Sequence, residues 1–377
     1  MRAKRLWAVA RKEAIHIFRD PRSLAMAIAI PMLQLLLFGY ALTLDVDNVP
    51  LVVWDQSETQ ISRELVSRFG GSRYFSMRRQ VSDYGGLERA IDSGAALVAL
   101  VIPRDFADCV ESGRPTAIQV IVDGSDSNTA TIALGYADVL VQTYSQEVVA
   151  EKVRRMGSQF PRLPVDLRPR AWFNTEMQSK NFIIPGLIAV IMNVIAALLT
   201  SLTVAREWEN GTMEQLISTP VKGPELILGK LLPYFGIGMF DVLLAVLMGK
   251  YLFQVPLRGN GALVFAMAAI FLVGVLSVGM LFSVLTRSQL LSSQAAMIVT
   301  YLPALLLSGL MFSISNMPKP LQVISYLFPA RYFVKLLRSI YLKGLGLEFI
   351  ALEAALLVIF AAIVVALANV KFKKKLA

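Results

Sequence analysis

Six stretches of the chain are almost purely apolar and close to the ~20 residues a helix needs to cross a bilayer: residues 24–42, 182–204, 231–253, 262–285, 290–311 and 349–370. Between the first two lies a polar stretch, residues 43–180, in which short apolar runs alternate with amphipathic segments. Its pattern predicts strands over 49–54, 74–81, 96–102 and 117–122. Helices are predicted over 58–69, 83–91, 103–111 and 128–156, and strand–helix alternation of this kind argues an α/β domain. Ahead of the first apolar run, residues 4–18 place Leu6, Trp7, Ala10, Ala14, Ile17 and Phe18 on one helical face, with Arg11, Lys12 and Arg19 elsewhere. That pattern predicts an amphipathic helix on a membrane surface, ended near Pro21; a solvated basic tail is the plainer reading. Before the last run, Leu321, Ile324, Leu327 and Phe328, then Phe333, Leu336, Leu337 and Ile340, recur at helical spacing. Two short helices lying at or dipping into the outer interface are expected there.

The expected fold is therefore an integral membrane all-α bundle of six transmembrane helices with an inserted extracytoplasmic α/β domain. Residues 1–23 form the interfacial helix, 24–42 the first span and 43–180 the inserted domain. Residues 181–377 hold the other five spans, a cytoplasmic segment at 205–230, outer interfacial helices at 312–347 and a basic tail at 371–377. Only 17% of the 377 residues are charged and 55% are hydrophobic, whereas soluble proteins are nearer a quarter charged. The net charge of +10 raises nucleic-acid binding. The basic residues, however, flank apolar runs as the positive-inside rule expects, and no nucleic-acid partner is predicted. Arg2, Lys4, Arg5, Arg11, Lys12, Arg19 and Arg22 precede the first run, and Lys371, Lys373, Lys374 and Lys375 follow the last. An even number of spans places both ends together, and their charge predicts the cytoplasm. Lys319, Arg331, Lys335, Arg338 and Lys343 would then lie outside, against the trend; the expectation is that they snorkel to headgroups. The first run is long and no small-residue cleavage site follows it, so a retained span is expected rather than a signal peptide.

The single cysteine, Cys109, and single histidine, His16, exclude an intramolecular disulfide, a thiolate metal cluster and a two-histidine zinc site. No catalytic or metal-ligating set is predicted. Asp123, Asp126 and Asn128 lack the spacing of a calcium loop, and a turn capping the next helix is expected instead. Gly223, Gly229 and Lys230 approach a phosphate loop. There is one residue too many between the glycines, and Leu231 stands where Ser or Thr must reach magnesium. ATP is not expected to bind this chain.

The loop after the second span reads Arg206-Glu-Trp-Glu-Asn-Gly-Thr-Met-Glu-Gln-Leu-Ile-Ser-Thr-Pro220. Thr212 with Gln215 has the spacing of a capping box. The short helix it predicts would expose Glu207, Glu209 and Glu214, offer Met213, Leu216 and Ile217 as an apolar face, and end at Pro220. Such a helix suits docking in a groove of a cytoplasmic partner; a mere loop is the plain alternative. Asp241, near the middle of the third run, costs roughly 2.5–3.5 kcal/mol at a bilayer centre, so it should face the bundle or a wet cavity. It can contact a cationic substrate, couple a proton, or hydrogen-bond to a neighbouring helix. Glu353, one turn into the last run, is reachable from the outer interface. Asn193 and Gln34 suit interhelical hydrogen bonds.

The loop, continued through Glu225-Leu-Ile-Leu-Gly-Lys-Leu-Leu-Pro233, resembles the coupling segment of permease subunits in the ABC type-2 exporter class. Arg11-Lys-Glu13 with Arg19-Asp-Pro-Arg-Ser23 resembles that family's interfacial helix, and Leu327-Phe-Pro-Ala-Arg-Tyr-Phe333 its outer segment before the last span. The likeness extends over essentially the whole chain. It implies a dimeric permease, paired with a second copy or a homologous permease, with coupling residues Arg206, Glu207, Glu209, Gly211, Thr212, Glu214, Leu216 and Pro220 seated on a separate ATP-binding subunit. That subunit would bind ATP and magnesium, and this chain would hold no cofactor. It further implies export of drug-like or lipophilic substrates across a Gram-negative inner membrane, and in drug-exporter relatives a periplasmic adaptor and an outer-membrane channel. Substrate or proton would pass near Asp241, Glu353 or Asn193. Two other classes compete on the residues alone: a proton-coupled secondary transporter using Asp241, and a receptor or scaffold whose outer domain binds a ligand.

Overall fold

The computed structural model describes residues 3–42, 46–155, 172–174 and 178–372. It divides into two compact units, residues 1–43 with 170–377, and residues 44–169 between them in sequence. The chain opens with α1 (Ala3–Arg19) and α2 (Pro21–Ala41). In α1 the buried face is Val9, Ala10, Glu13 and Ile17, while Trp7 and Phe18 of the expected apolar stripe are exposed. The helix is rotated toward the side that carries Val9 because its partner offers a glycine there: a Cβ on Gly229 would meet Val9 Cβ at 2.8 Å.

The second unit follows as β1 (Val49–Asp55), α3 (Gln60–Gly70), β2 (Phe75–Gln80), α4 (Tyr84–Asp92), β3 (Val98–Ile102), α5 (Phe106–Ser112), β4 (Gln119–Val122) and α6 (Ser127–Arg155). The sheet order is β2-β1-β3-β4, with β1 parallel to both neighbours and β4 antiparallel to β3. All five residues of β3 are buried, as a strand covered on both faces requires. Leu51, Val53, Leu100 and Ile102 meet Leu65, Phe69, Phe106, Ala133 and Tyr144 on one face. Val52, Ala99 and Val101 meet Leu87 and Ala90 on the other. Helices α3, α5 and α6 thus share one face and α4 takes the opposite one. Asp126 accepts from the Asn128 and Thr129 amides and closes the start of α6, the capping turn its sequence suggests. Cys109 is free and buried.

The first unit resumes as α7 (Ser179–Ser201), α8 (Thr203–Glu209), α9 (Thr212–Ser218), α10 (Gly223–Leu247), α11 (Gly261–Thr286), α12 (Gln289–Leu307), α13 (Lys319–Ser325), α14 (Pro329–Arg338) and α15 (Leu347–Lys371). Among the described residues five helical stretches are long and apolar enough to cross a membrane: 179–209, 223–252, 261–286, 289–307 and 347–371. In α2 only Ala27–Ala41 counts as an apolar helix, and it is shorter. Helix α7 is the axis of the bundle: 83% of its most apolar stretch is buried, against 22% for α12 and 28% for α15. It is held by small residues and polar bridges, as close-packed apolar helices are. A Cβ on Gly279 of α11 would lie 2.1 Å from the Ala197 carbonyl oxygen. Thr200 donates to the Leu276 carbonyl at 2.8 Å and Ser292 to that of Ser201 at 2.6 Å. Where α7 gives way to α8, the amides of Val204 and Ala205 donate to Ser283 Oγ at 2.9 and 2.8 Å, so the break leaves those donors satisfied.

The segment before the last helix divides into an exposed helix and a buried one. Helix α13 presents apolar residues outward, with Leu321, Val323 and Ile324 exposed. Helix α14 packs among α7, α11 and α15, with Phe333, Leu336 and Leu337 buried and Phe333 stacked on Phe271 at 4.1 Å. Arg338 does not reach outward: its guanidinium lies 3.4 Å from the Phe182 ring centroid and donates to the carbonyls of Phe182 and Gly309 at 3.1 and 2.7 Å. Helical periodicity marks an apolar face, but lipid and protein satisfy that face equally well.

Candidate functional site

The candidates of the loop after the second apolar run sit on α8 and α9, joined by a tight turn at Gly211. That residue has φ +69, a left-handed conformation for which glycine carries no steric penalty. The predicted capping box does not form. Gly211, not Thr212, is the N-cap of α9, and the Thr212 hydroxyl instead donates to Glu207 Oε2. Glu207 holds that hydroxyl because it is itself buried, contrary to the exposed position the sequence predicts.

What buries Glu207 is a charge cluster drawn from three helices. Lys230, on the second turn of α10, is only 1% exposed. Its ammonium lies 3.0 Å from Glu13 Oε2 on α1 and 3.1 Å from Glu207 Oε1 on α8. Tyr234, one turn further along α10, donates to the other Glu13 oxygen at 3.3 Å. Lys12 reaches Glu207 Oε1 at 3.0 Å from the exposed rim. Two carboxylates and two ammonium groups thus balance, and each carboxylate oxygen has a partner, which is the condition under which buried charge is tolerated. Lys230, half of the near-match to a phosphate loop, is committed to this cluster.

The elbow is fastened on two more sides. Arg206 meets His16 Nε2 of α1 at 3.3 Å and Gln289 Oε1 at 3.4 Å. Glu209 accepts from the Gln289 amide at 2.8 Å, placing a carboxylate at the positive end of α12. Arg287 lies over the Trp208 ring at 4.5 Å, and the Pro220 carbonyl accepts from Arg5. Met213 turns inward at 1% exposed and Leu216 is partly buried; the side chain of Ile217 lies outside the described residues. The outward surface of the elbow is Asn210, Gly211, Glu214, Gln215, Ser218 and Pro220. Mechanically this is a polar pad fixed rigidly to the feet of four long helices.

A family model described as ABC-2 family transporter protein matches residues 21–370. The chain belongs to that family. It is a membrane-embedded ABC-2 permease, with relatives similar along its whole length. "Probable multidrug ABC transporter permease YbhS" of Escherichia coli K12 is 37% identical over 375 residues, 99% of this chain and 98% of the relative. "Probable multidrug ABC transporter permease YbhR" of the same strain is 32% identical over 349 residues, 92% of each. "Linearmycin resistance permease protein LnrN" of Bacillus subtilis is 23% identical, covering 96% of this chain and 97% of the relative.

The permease keeps its other candidates apart from the elbow. Asp241 is 1% exposed on α10, and its Oδ1 has no hydrogen-bond partner among the described residues. Glu353 of α15 is paired with Lys335 of α14, so it fastens α14 rather than standing free at an outer surface. Asn193 of α7 donates to the Thr300 carbonyl of α12 at 3.0 Å, and its Oδ1 is unpartnered; the expected interhelical bond is there. The sequence reading passes over Glu13, Lys230, Tyr234 and Gln289. One signal was available: Val9, Glu13 and Ile17 recur every four residues, which puts a carboxylate in the middle of a buried stripe that must find a cation.

Proposed function

We propose that this permease is the membrane-spanning subunit of an exporter powered by ATP hydrolysed on a separate chain. In this reading α2 joins the five longer helices as a sixth span, both termini and the α8–α9 elbow face the cytoplasm of an inner membrane, and the α/β unit lies outside. Two permease subunits, identical or homologous, stand on two ATP-binding subunits, and a drug-like or lipophilic molecule is moved outward. An adaptor and an outer channel would extend the route. The relatives named as multidrug permeases support the substrate class.

The observation that carries the reading is the buried Lys230–Glu13–Glu207 cluster. A pad pushed from below moves α1, α8 and α10 together, because separating them would strand charges in a low-dielectric interior, at several kcal/mol each. Glu214 and Gln215 are the side chains left free to touch the partner. Glu214→Arg should therefore leave expression and melting unchanged while abolishing copurification of the ATP-binding subunit and ATP-dependent export. Full export by that variant, together with a permease that purifies with no ATP-binding chain, would refute the proposal.

Asp241 is the residue we assign to the transport path, on its burial and its unpartnered oxygen. Family membership supports ATP as the energy source, and in this reading the carboxylate serves substrate contact rather than a proton-driven cycle.

A further inference from the structure

The α/β unit carries a polar cleft that the transport reading leaves unused. In the order β2-β1-β3, the chain leaving β1 enters α3 on one face, while the chain leaving β2 enters α4 on the other. Adjacent strand ends whose connections diverge leave a crevice beyond their carboxyl ends, the general location of ligands in open parallel sheets. Here the crevice is a cleft of about 890 Å³ lined from both connections, a volume suited to an organic molecule rather than a single ion.

Four arginines set its chemistry: Arg63, Arg79, Arg89 and Arg104. Arg63 and Arg89 each use Nε on a carbonyl one turn earlier, that of Thr59 at 3.1 Å and that of Gly85 at 3.0 Å. Those bonds steady the side chains and leave their terminal nitrogens free. Among the described residues none of the four arginines makes an ion pair, and the side chains of Arg79 and Arg104 make no hydrogen bond. Three acids, Asp55, Glu58 and Asp83, share the lining with the four arginines and leave it a net charge of +1; two of the three are otherwise engaged. Asp55 accepts from the Ser57 and Glu58 amides at 3.0 and 3.1 Å and from Ser62 Oγ at 2.7 Å. Asp83 accepts from the Gly86 amide. These turns already close both helix starts, so the helix ends are not the recognition element. Trp54 supplies a half-buried aromatic wall, braced edge-on by Tyr84 at 6.3 Å.

We propose that this cleft binds an organic molecule bearing at least two carboxylate or phosphate groups, held by the guanidinium forks of Arg63, Arg79, Arg89 and Arg104 against Trp54. Guanidinium matches such oxyanions with paired, planar hydrogen bonds, and a cleft of this size accommodates two such contacts at once.

Citrate and pyrophosphate serve as probes, titrated calorimetrically at low salt into the full-length permease in detergent. Saturable binding of at least one, at millimolar affinity or tighter, is expected. Arg79→Gln with Arg104→Gln should weaken it about tenfold or more without changing the melting temperature, since both side chains are exposed and unpaired. Arg68→Gln with Arg73→Gln removes the same charge from arginines outside the cleft that pair with Glu147 and Asp47, and should leave binding intact. Absence of saturable binding by both probes, or an equal loss in the two double variants, would overturn the proposal. Repeating the titration in nanodiscs separates two sources of the ligand. Competition by discs containing cardiolipin, whose headgroup carries two phosphates, but not by phosphatidylcholine discs assigns the cleft to a lipid headgroup; equal binding in both assigns it to a free anion, and either result supports the site.

Discussion

Lys230 is buried from solvent, and Glu13 and Glu207 are buried beside it. Removing one member of such a buried set costs more than the set contributes, because a charge is left without a partner. Lys230→Met should accordingly destabilise the first unit by about 3–5 kcal/mol, read as a lowered melting temperature in detergent. Adding Glu13→Gln and Glu207→Gln to Lys230→Met should restore most of that loss, since the two carboxylates no longer repel. A single variant that melts with the parent would show that the ammonium is not paired in solution. Asp241 differs in kind: among the described residues no cation meets it, so Asp241→Asn should leave expression and melting nearly unchanged. Export should fall, and unchanged export at equal expression would remove the residue from the path.

Helices in this molecule approach one another as closely as their smallest residues permit. Gly279 has the Ala197 carbonyl oxygen and Thr200 Oγ1 where its Cβ would stand, at 2.1 and 2.2 Å. Gly279→Ala must push α11 away from the bundle axis, and a loss of roughly 1–3 kcal/mol is expected from overpacking. Gly135, in the middle of α6, has nothing within 4 Å of the same position. Gly135→Ala should stabilise the α/β unit by about 0.5–1 kcal/mol, because only helix propensity changes. Thermal melts of the two variants should therefore move in opposite directions. Equal shifts would mean that backbone freedom, not helix approach, governs both sites.

At the scale of the whole molecule, the transport reading needs the elbow and the α/β unit to face opposite sides of a membrane. In a Cys109→Ser background, cysteines at two exposed positions decide it: Glu111→Cys on α5 and Glu214→Cys on α9. A membrane-impermeant maleimide should modify the first in intact cells and the second only after the membrane is opened. Labelling of both from the same side would end the proposal, whatever the family.

Much of the chain was legible without a fold. Apolar runs near the length of a bilayer crossing exposed the long helices, because lipid imposes one requirement on every residue of a span. Short apolar runs alternating with amphipathic segments revealed the strands, and the motif around Arg206–Pro220 pointed to the family. What the one-dimensional pattern could not carry was pairing. Val9, Glu13 and Ile17 share a stripe, yet that its carboxylate meets Lys230, more than two hundred positions away, is a property of how α1 crosses α10. Glu207 reads as a solvated acid beside Glu209 and becomes buried only because three helices converge on it. The apolar face of α14 reads from its spacing, but the helices that bury it do not, since the face is local and its neighbours are not. The cleft of the α/β unit exists only where two connections part to opposite faces of a sheet. Hydrophobic patterning is written residue by residue and can be read that way; charge partners, helix rotation and concave surfaces depend on distances between remote segments, and folding alone sets those.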